Sequence, residues 1–137
     1  MKFSFSAFAI LLFIFSSIFS FGQNFKTEVK MIDSSNASIN AGLFLTGITK
    51  GGFDELVVKM NAKDQFVIKN EFFAEKNAAT ISLRSNNKAS LKDFELFLKQ
   101  IEIYSIVYKN KTMSSQELES NYKHYKKEEI KKIDRIK

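Results

Sequence analysis

Alternating apolar and polar side chains predict strands in this chain. The two-residue period of a half-buried strand is present at residues 25–32, 66–72 and 79–84. A short polar turn joins the last two stretches, which predicts a hairpin. Shorter apolar runs predict two further strands at 43–48 and 103–108. Between the first two strands, the Ser- and Asn-rich stretch 33–40 predicts a loop.

A three-to-four-residue period predicts a first helix after Gly51-Gly52. One face of this helix would hold Phe53, Leu56, Val57 and Met60. The same residues also permit a strand, but the glycine pair before them and the polar residues 61–64 after them favour a helix.

Two capping-box patterns, in which an acidic residue follows Ser after three positions, predict two more helices. Ser90 and Asp93 open a helix whose apolar face is Leu91, Phe94, Phe97, Leu98 and Ile101. Ser114 and Glu117 open a C-terminal helix that starts with an apolar stripe. This stripe consists of Leu118, Tyr122 and Tyr125. Because few apolar anchors follow, we expect the end of this helix to fray.

The elements between residues 43 and 109 follow in the order strand, helix, strand, strand, helix, strand. This is the order of the ferredoxin-like, split βαβ sandwich, which places both helices on one face of an antiparallel sheet. The sequence therefore predicts an α+β protein with this sandwich at 43–109. An extra N-terminal strand and loop would occupy 23–42, and a basic C-terminal helix would occupy 110–137.

The first 22 residues predict a signal peptide. Lys2 precedes an uncharged apolar stretch, and the small residues Ser20 and Gly22 fit a signal-peptidase site. Cleavage there would start the mature chain at Gln23 and predicts an exported protein, periplasmic or secreted. The alternative is an uncleaved membrane anchor, although serines dilute the apolar character of the stretch.

The loop before the first helix resembles the metal loop of heavy-metal-associated domains, whose signature is Gly-Met-Thr-Cys-x-x-Cys. In the stretch Gly47-Ile48-Thr49-Lys50-Gly51-Gly52-Phe53, Ile48 stands at the methionine, and Lys50 and Phe53 stand at the two cysteines. The order of elements is also similar to that family. The resemblance implies a metallochaperone-like domain whose relatives carry soft metal ions and dock onto partner domains through the loop face.

The metal ligands of that family are missing here. The chain contains no Cys, a charged Lys50 does not bind metal ions, and Phe53 has no donor atom. We expect no metal, no cofactor and a purely structural loop in which Phe53 turns into the core and Lys50 points to solvent. The degenerate metal-loop positions are Thr49, Lys50, Gly51, Gly52 and Phe53. A metal carrier with unusual ligands is the remaining alternative.

Most of the net charge of +6 lies at the C-terminal end, where residues 123–137 carry seven Lys or Arg against three acidic residues. Such a run can contact phosphate groups of an anionic surface. It can also be a solvated helix face with internal ion pairs, here Glu128 with Lys132 and Glu129 with Lys126. The anionic contact would be made by Lys126, Lys127, Lys131, Lys132 and Arg135.

The sequence has no recognisable catalytic constellation. His124 is its only histidine, and one histidine makes neither a metal site nor a triad. We therefore expect a non-catalytic binding or interaction protein with an unidentified protein partner and no nucleic-acid partner. The competing hypothesis is an envelope protein that makes weak contact with anionic membranes or polymers through its C-terminal helix.

Overall fold

The computed structural model describes residues 24–136, so the predicted signal peptide lies outside the described residues. The strands in this part of the chain are β1 (Lys26–Ser35), β2 (Ser38–Thr46), β3 (Phe66–Phe73), β4 (Ala78–Ser85), β5 (Ser105–Tyr108) and β6 (Lys111–Ser114). The helices are α1 (Lys50–Asn61), α2 (Leu91–Gln100) and α3 (Leu118–Ile136), and a 3-10 turn (Ser115–Glu117) leads into α3.

The strands form one sheet in the order β3-β4-β2-β1-β5-β6. Neighbouring strands are antiparallel, except that β1 and β5 are parallel. This mixed sheet, with three helices in the described residues, confirms the predicted α+β class and the C-terminal helix. β2 and β3, which flank α1 in the chain, have β4 between them in the sheet, as in a split βαβ unit.

The extra N-terminal strand does not lie at the edge of the sheet. β1 lies between β2 and β5, so β5 pairs with β1 and not with β2. A tight turn holds β1 against one edge of β2, and β4 covers the other edge of β2. β5 therefore pairs with the edge of β1 that β2 leaves open.

The predicted loop at 33–40 is wrong. β1 continues to Ser35, and β2 starts at Ser38 and pairs with it directly. Only Asn36 and Ala37 form the turn, and both have positive φ values of 52° and 60°, as in the primed turns of tight hairpins. The polar side chains of this stretch are compatible with strands because one face of the sheet is open to water.

The sequence also did not predict β6, and it placed the start of β5 too early. β5 starts at Ser105 and not at residue 103, and the chain then turns back as β6. The turn residues Lys109 and Asn110 have positive φ values of 53° and 64°. β6 has four residues and buries only Met113 among them, which is too short for a visible period.

The helices pack against one face of the sheet, whereas alternate residues of the other face are partly or fully exposed. The residues of β2 and β4 that point to the helices are Ile39, Ala41, Leu43, Leu45, Ala79, Ile81 and Leu83. They form a single core with residues of all three helices. Phe66 of β3 contacts Phe94 and Phe97 of α2, with ring centroids 5.9 and 4.8 Å apart.

A side-chain cap sets the start of α2, and another caps the 3-10 turn before α3. The backbone N–H of Ser90 donates to Asp93 Oδ2 at 2.8 Å, and the N–H of Asp93 donates to Ser90 Oγ at 3.2 Å, which confirms this capping box. Ser114 Oγ accepts from the N–H of Gln116 at 3.2 Å, but it caps the 3-10 turn. The α-helix itself starts at Leu118.

The first turns of α3 are fixed to α2 by a buried carboxylate. Glu95 of α2 is only 4% exposed, and its Oε2 accepts from the N–H of Glu119 at 2.9 Å. The backbone oxygen of Glu95 also accepts from Gln116 Nε2 at 2.8 Å. Leu118 and Tyr122 are buried in the core, which confirms that the predicted apolar stripe packs onto the body.

Candidate functional site

The loop that resembles a metal loop lies at the N-terminus of α1. Gly47 has a φ value of +73°, which favours glycine at this position. Ile48 is buried, and its N–H donates to the backbone oxygen of Asn77 at 3.0 Å, which ties the loop to the β3–β4 turn. Thr49 Oγ1 accepts from the N–H of Gly52 at 3.1 Å and caps α1.

Lys50 and Phe53, at the two positions that correspond to cysteines, form a cation–π contact. Phe53 is 4% exposed and stacks on Phe72, with ring centroids 5.3 Å apart. The exposed ammonium group of Lys50 lies 5.5 Å from the Phe53 centroid, 5.6 Å from that of Phe72, and 2.9 Å from Asp54 Oδ1. The predicted inward orientation of Phe53 and outward orientation of Lys50 are therefore confirmed.

Oxygen and nitrogen ligands do not converge at this loop. Within residues 24–136, no three side chains of His, Cys, Asp or Glu are grouped so that they could hold a metal ion. The loop instead presents the ammonium of Lys50 and the exposed backbone of Gly51 to solvent. A charged ammonium at a helix N-terminus repels a cation, and the positive end of the helix dipole adds to this repulsion.

The cations of α3 lie at different angles around the helix, and one row of them runs along its outer side. Lys127 and Lys131 follow the buried Leu118 and Tyr122 by nine residues, or two and a half turns, so they point away from the core. Steps of four residues connect the cations on this outer side. We call this row the basic ridge; it consists of Lys123, Lys127, Lys131 and Arg135.

The sequence-predicted set of five cations is only partly on this ridge. Lys127, Lys131 and Arg135 belong to it, whereas Lys126 lies one turn after Tyr122, with its ammonium 5.6 Å from the centroid of that ring. Lys132 is on the same inner side by its position in the helix. Lys123 belongs to the ridge but was not in the predicted set. The prediction followed the density of charge along the sequence, whereas the ridge is defined by the angle of each residue around the helix.

Ion pairs leave part of this charge free. Lys123 pairs with Glu119 at 3.6 Å, Lys131 with Glu128 at 3.7 Å, and Lys126 with Glu129 at 3.6 Å. The predicted Glu129–Lys126 pair is confirmed, but Glu128 pairs with Lys131 and not with Lys132. The cations without an ion-pair partner among the described residues of α3 are Lys127, Lys132 and Arg135. Each pair offsets the charge of its lysine, so the uncompensated charge of the ridge is carried by Lys127 and Arg135.

The last turns of α3 do not pack on the body. Every residue from 129 to 135 is exposed. Ile130 is 59% exposed and Ile133 is 54% exposed. Ile130 and Ile133 are three residues apart and are therefore neighbours on one side of the helix, with Ile130 next to Lys127 of the ridge. Residues 129–135 thus form an exposed helix end with three cations, two carboxylates and two isoleucines.

A second feature, which the sequence did not predict, is a groove on the inner side of α3. It has a volume of about 320 Å³ and lies between β1, the β5–β6 turn and α3. We call it the tyrosine groove; its lining includes Tyr108, Tyr122 and Tyr125. The rings of Tyr108 and Tyr125 meet edge to face with centroids 5.7 Å apart. Burial, together with nearby Tyr122, Glu129 and Tyr125, raises the pKa of Tyr108 above its usual value.

The only histidine is not part of either feature. His124 is exposed on α3, and its ring contacts that of Tyr125 with centroids 5.9 Å apart.

Among residues 24–136, no helix is long and apolar enough to cross a membrane. Comparison with known proteins gives no matching family model, curated protein or solved structure.

Proposed function

We propose that this protein is an exported, non-catalytic binding protein that attaches to an anionic membrane surface through α3. The observation that carries the proposal is the basic ridge, a row of cations on the side of α3 that faces away from the core. A helix face that contributes nothing to the core is free to meet a flat surface. The fold of the body then serves to hold this helix in place.

The spacing of the ridge suits a layer of phosphate groups. Successive cations lie four residues apart, which is about 6 Å along the helix, so the row is about 18 Å long. Each Lys or Arg close to an anionic membrane contributes about 1 kcal/mol to binding. Four cations give a reversible attachment of at most about 4 kcal/mol, because Lys123 and Lys131 must leave their glutamates to contribute fully, and salt weakens it by screening.

Ile130 favours a lipid surface over a soluble polymer. Its side chain lies beside the ridge and is 59% exposed, so it can enter the interface when the cations meet the headgroups. Burial of such a side chain contributes on the order of 1.5 kcal/mol or more at a membrane and nothing in a wet polymer. Val58, which is 69% exposed on α1, offers a control outside α3.

Vesicle binding with charge-reversed variants tests this proposal. The full-length variant Lys127→Glu/Lys131→Glu/Arg135→Glu should bind vesicles containing anionic lipid at least about 100-fold more weakly than the unchanged chain, because three contributions of about 1 kcal/mol are lost. The control Lys76→Glu/Lys88→Glu/Lys92→Glu makes the same charge change at exposed lysines outside α3. It should lose much less affinity. Equal losses in both variants would mean that net charge alone attracts the vesicle.

Changes of exposed apolar residues separate membrane from polymer. Ile130→Gln should weaken vesicle binding about 10-fold, on the basis of about 1.5 kcal/mol for the buried side chain, whereas the control Val58→Gln should have little effect. If neither change affects binding, but a soluble polyphosphate competes fully for the ridge, the partner is an anionic polymer and the membrane proposal is wrong.

A second candidate function follows from the loop before α1. We infer that the body is a ferredoxin-like, heavy-metal-associated-like domain with β1 inserted next to β2, which has kept a docking face and lost its metal. Its support is the capped loop at the start of α1 and the position of β4 between β2 and β3.

The variant Lys50→Cys/Phe53→Cys tests this inference, because two thiolates at this helix start should then retain one Zn²⁺ or Cu⁺ per chain through dialysis. The single variant Lys50→Cys, which has one thiolate, serves as the control. Equal retention by both variants would contradict the inferred geometry.

A further inference from the structure

The edge of β1 that faces β5 is covered over only part of its length. β1 pairs with β2 as far as Ser35, but it pairs with β5 only at Glu28 and Val29. β5 stops there because the chain turns back at Lys109 and Asn110. The second half of β1, beyond a bulge between Val29 and Met31, therefore has no strand beside it on this edge among the described residues.

The main-chain groups of this free half point in known directions. The N–H of Ser34 donates to the hydroxyl of Tyr122 at 3.4 Å, so Ser34 faces α3 and not β2. Backbone groups along an antiparallel strand alternate in direction, so the N–H and C=O of Ile32 also face the α3 side. An exposed strand edge with such groups is a template for a further strand.

The tyrosine groove lies along the same free edge. β1 residues 28–32 form one wall, and the rings of Tyr108, Tyr122 and Tyr125 lie opposite them. Aromatic rings bind the side chains of an extended peptide at a small entropic cost, because tyrosine has few rotatable bonds. The groove thus joins a main-chain edge and a side-chain platform, which are the two elements of recognition by strand addition.

The charged residues of the groove favour an acidic peptide. Three lysines, namely Lys30, Lys109 and Lys126, and two glutamates line it. Lys30 and Lys126 pair with these glutamates, whereas Lys109 lies 5.9 Å from the Tyr108 ring centroid and has no carboxylate partner in the described part of the chain. One cation is therefore free at the end of the groove where β5 turns away.

We propose that the tyrosine groove binds a short acidic peptide segment in extended conformation, as an added strand on the free half of β1. The main chain of the peptide pairs with Ile32, its side chains contact the tyrosine rings, and one of its carboxylates meets Lys109. This site lies on the inner side of α3 and is independent of the basic ridge, so it adds a peptide partner to the proposed membrane attachment.

Selection from a random seven-residue peptide display library on the immobilised full-length chain provides the probe. The strongest binder is then synthesised in three forms: unchanged, with its acidic residues replaced by the matching amides, and with its central backbone nitrogen methylated. The proposal predicts that selected peptides are acidic and rich in β-branched residues. Methylation should weaken binding about 10-fold, since it removes a main-chain hydrogen bond of about 1.5 kcal/mol.

Variants of the chain locate the site. Lys109→Glu should weaken binding of the acidic peptide about 10-fold and have little effect on its amide form, while the exposed control Lys88→Glu should bind both forms as the unchanged chain does. Amide hydrogen exchange gives an independent measurement: the N–H of Ile32 should exchange more slowly once the peptide is bound. The proposal is overturned if no peptide is enriched, if methylation and Lys109→Glu both have no effect, or if Ile32 is protected without peptide because two copies of the chain pair.

Discussion

Six residues other than glycine have positive φ values in the described part of the chain, and four of them form the two tightest turns. Asn tolerates this conformation because its short polar side chain bonds locally, whereas Ala has no such compensation. Ala37, with a φ of 60°, is therefore a strained residue at the tip of the β1–β2 hairpin. The strain is confined to this turn, and Ala37 itself is exposed and not part of the core.

Ala37→Gly should stabilise the protein. Glycine adopts positive φ without a steric penalty, and the pair Asn-Gly is the favoured sequence of this turn, so we expect a gain of about 0.5–1 kcal/mol. Urea unfolding of the variant and the unchanged chain measures this difference. Ala62→Gly is the control, because Ala62 has a φ of −74° and glycine there brings only flexibility. A loss of stability in Ala37→Gly would mean that the hairpin has a different turn.

At the scale of elements, local signals were sufficient where they were strong. α2 was predicted from its period and its Ser90–Asp93 capping box, and the β3–β4 hairpin from two alternating runs. The β1–β2 hairpin was missed because its turn has no glycine and its strand ends are polar. The tyrosine groove combines β1, the β5–β6 turn and α3, and no local pattern predicts which distant elements meet. The basic ridge was only partly predicted, because its members share an angle on a helix whose buried side was not yet known.

The buried carboxylate of Glu95 contributes to the attachment of α3 to α2. Glu95→Ala removes the acceptor of the Glu119 N–H and leaves this partly buried donor without that partner, at a cost of about 1–3 kcal/mol. Urea unfolding should detect this loss, while Lys92→Ala, an exposed change on the same helix, should alter stability by about 0.5 kcal/mol at most. Equal stability of Glu95→Ala and the unchanged chain would mean that the apolar contacts of Leu118 and Tyr122 alone hold α3.

At the scale of the whole molecule, the two ends of α3 differ in their surroundings. Its first turns belong to the core through Leu118 and Tyr122, and its last turns, from residue 129 to residue 135, are exposed. We therefore expect the body to keep its stability without these last turns. The proposed attachment to an anionic membrane would give the exposed end a role.

Truncation of the chain after Lys127 tests this account most directly, because it removes the exposed turns and leaves every core residue in place. We expect the melting temperature to fall by no more than about 2 °C, since the lost residues bury little apolar surface. Binding to vesicles with anionic lipid should weaken at least about 100-fold in the same preparation, because Lys131, Arg135 and Ile130 are removed while Lys123 and Lys127 remain. A truncated protein that unfolds would mean that the end of α3 is structural, and one that still binds vesicles with unchanged affinity would contradict the proposed role of α3.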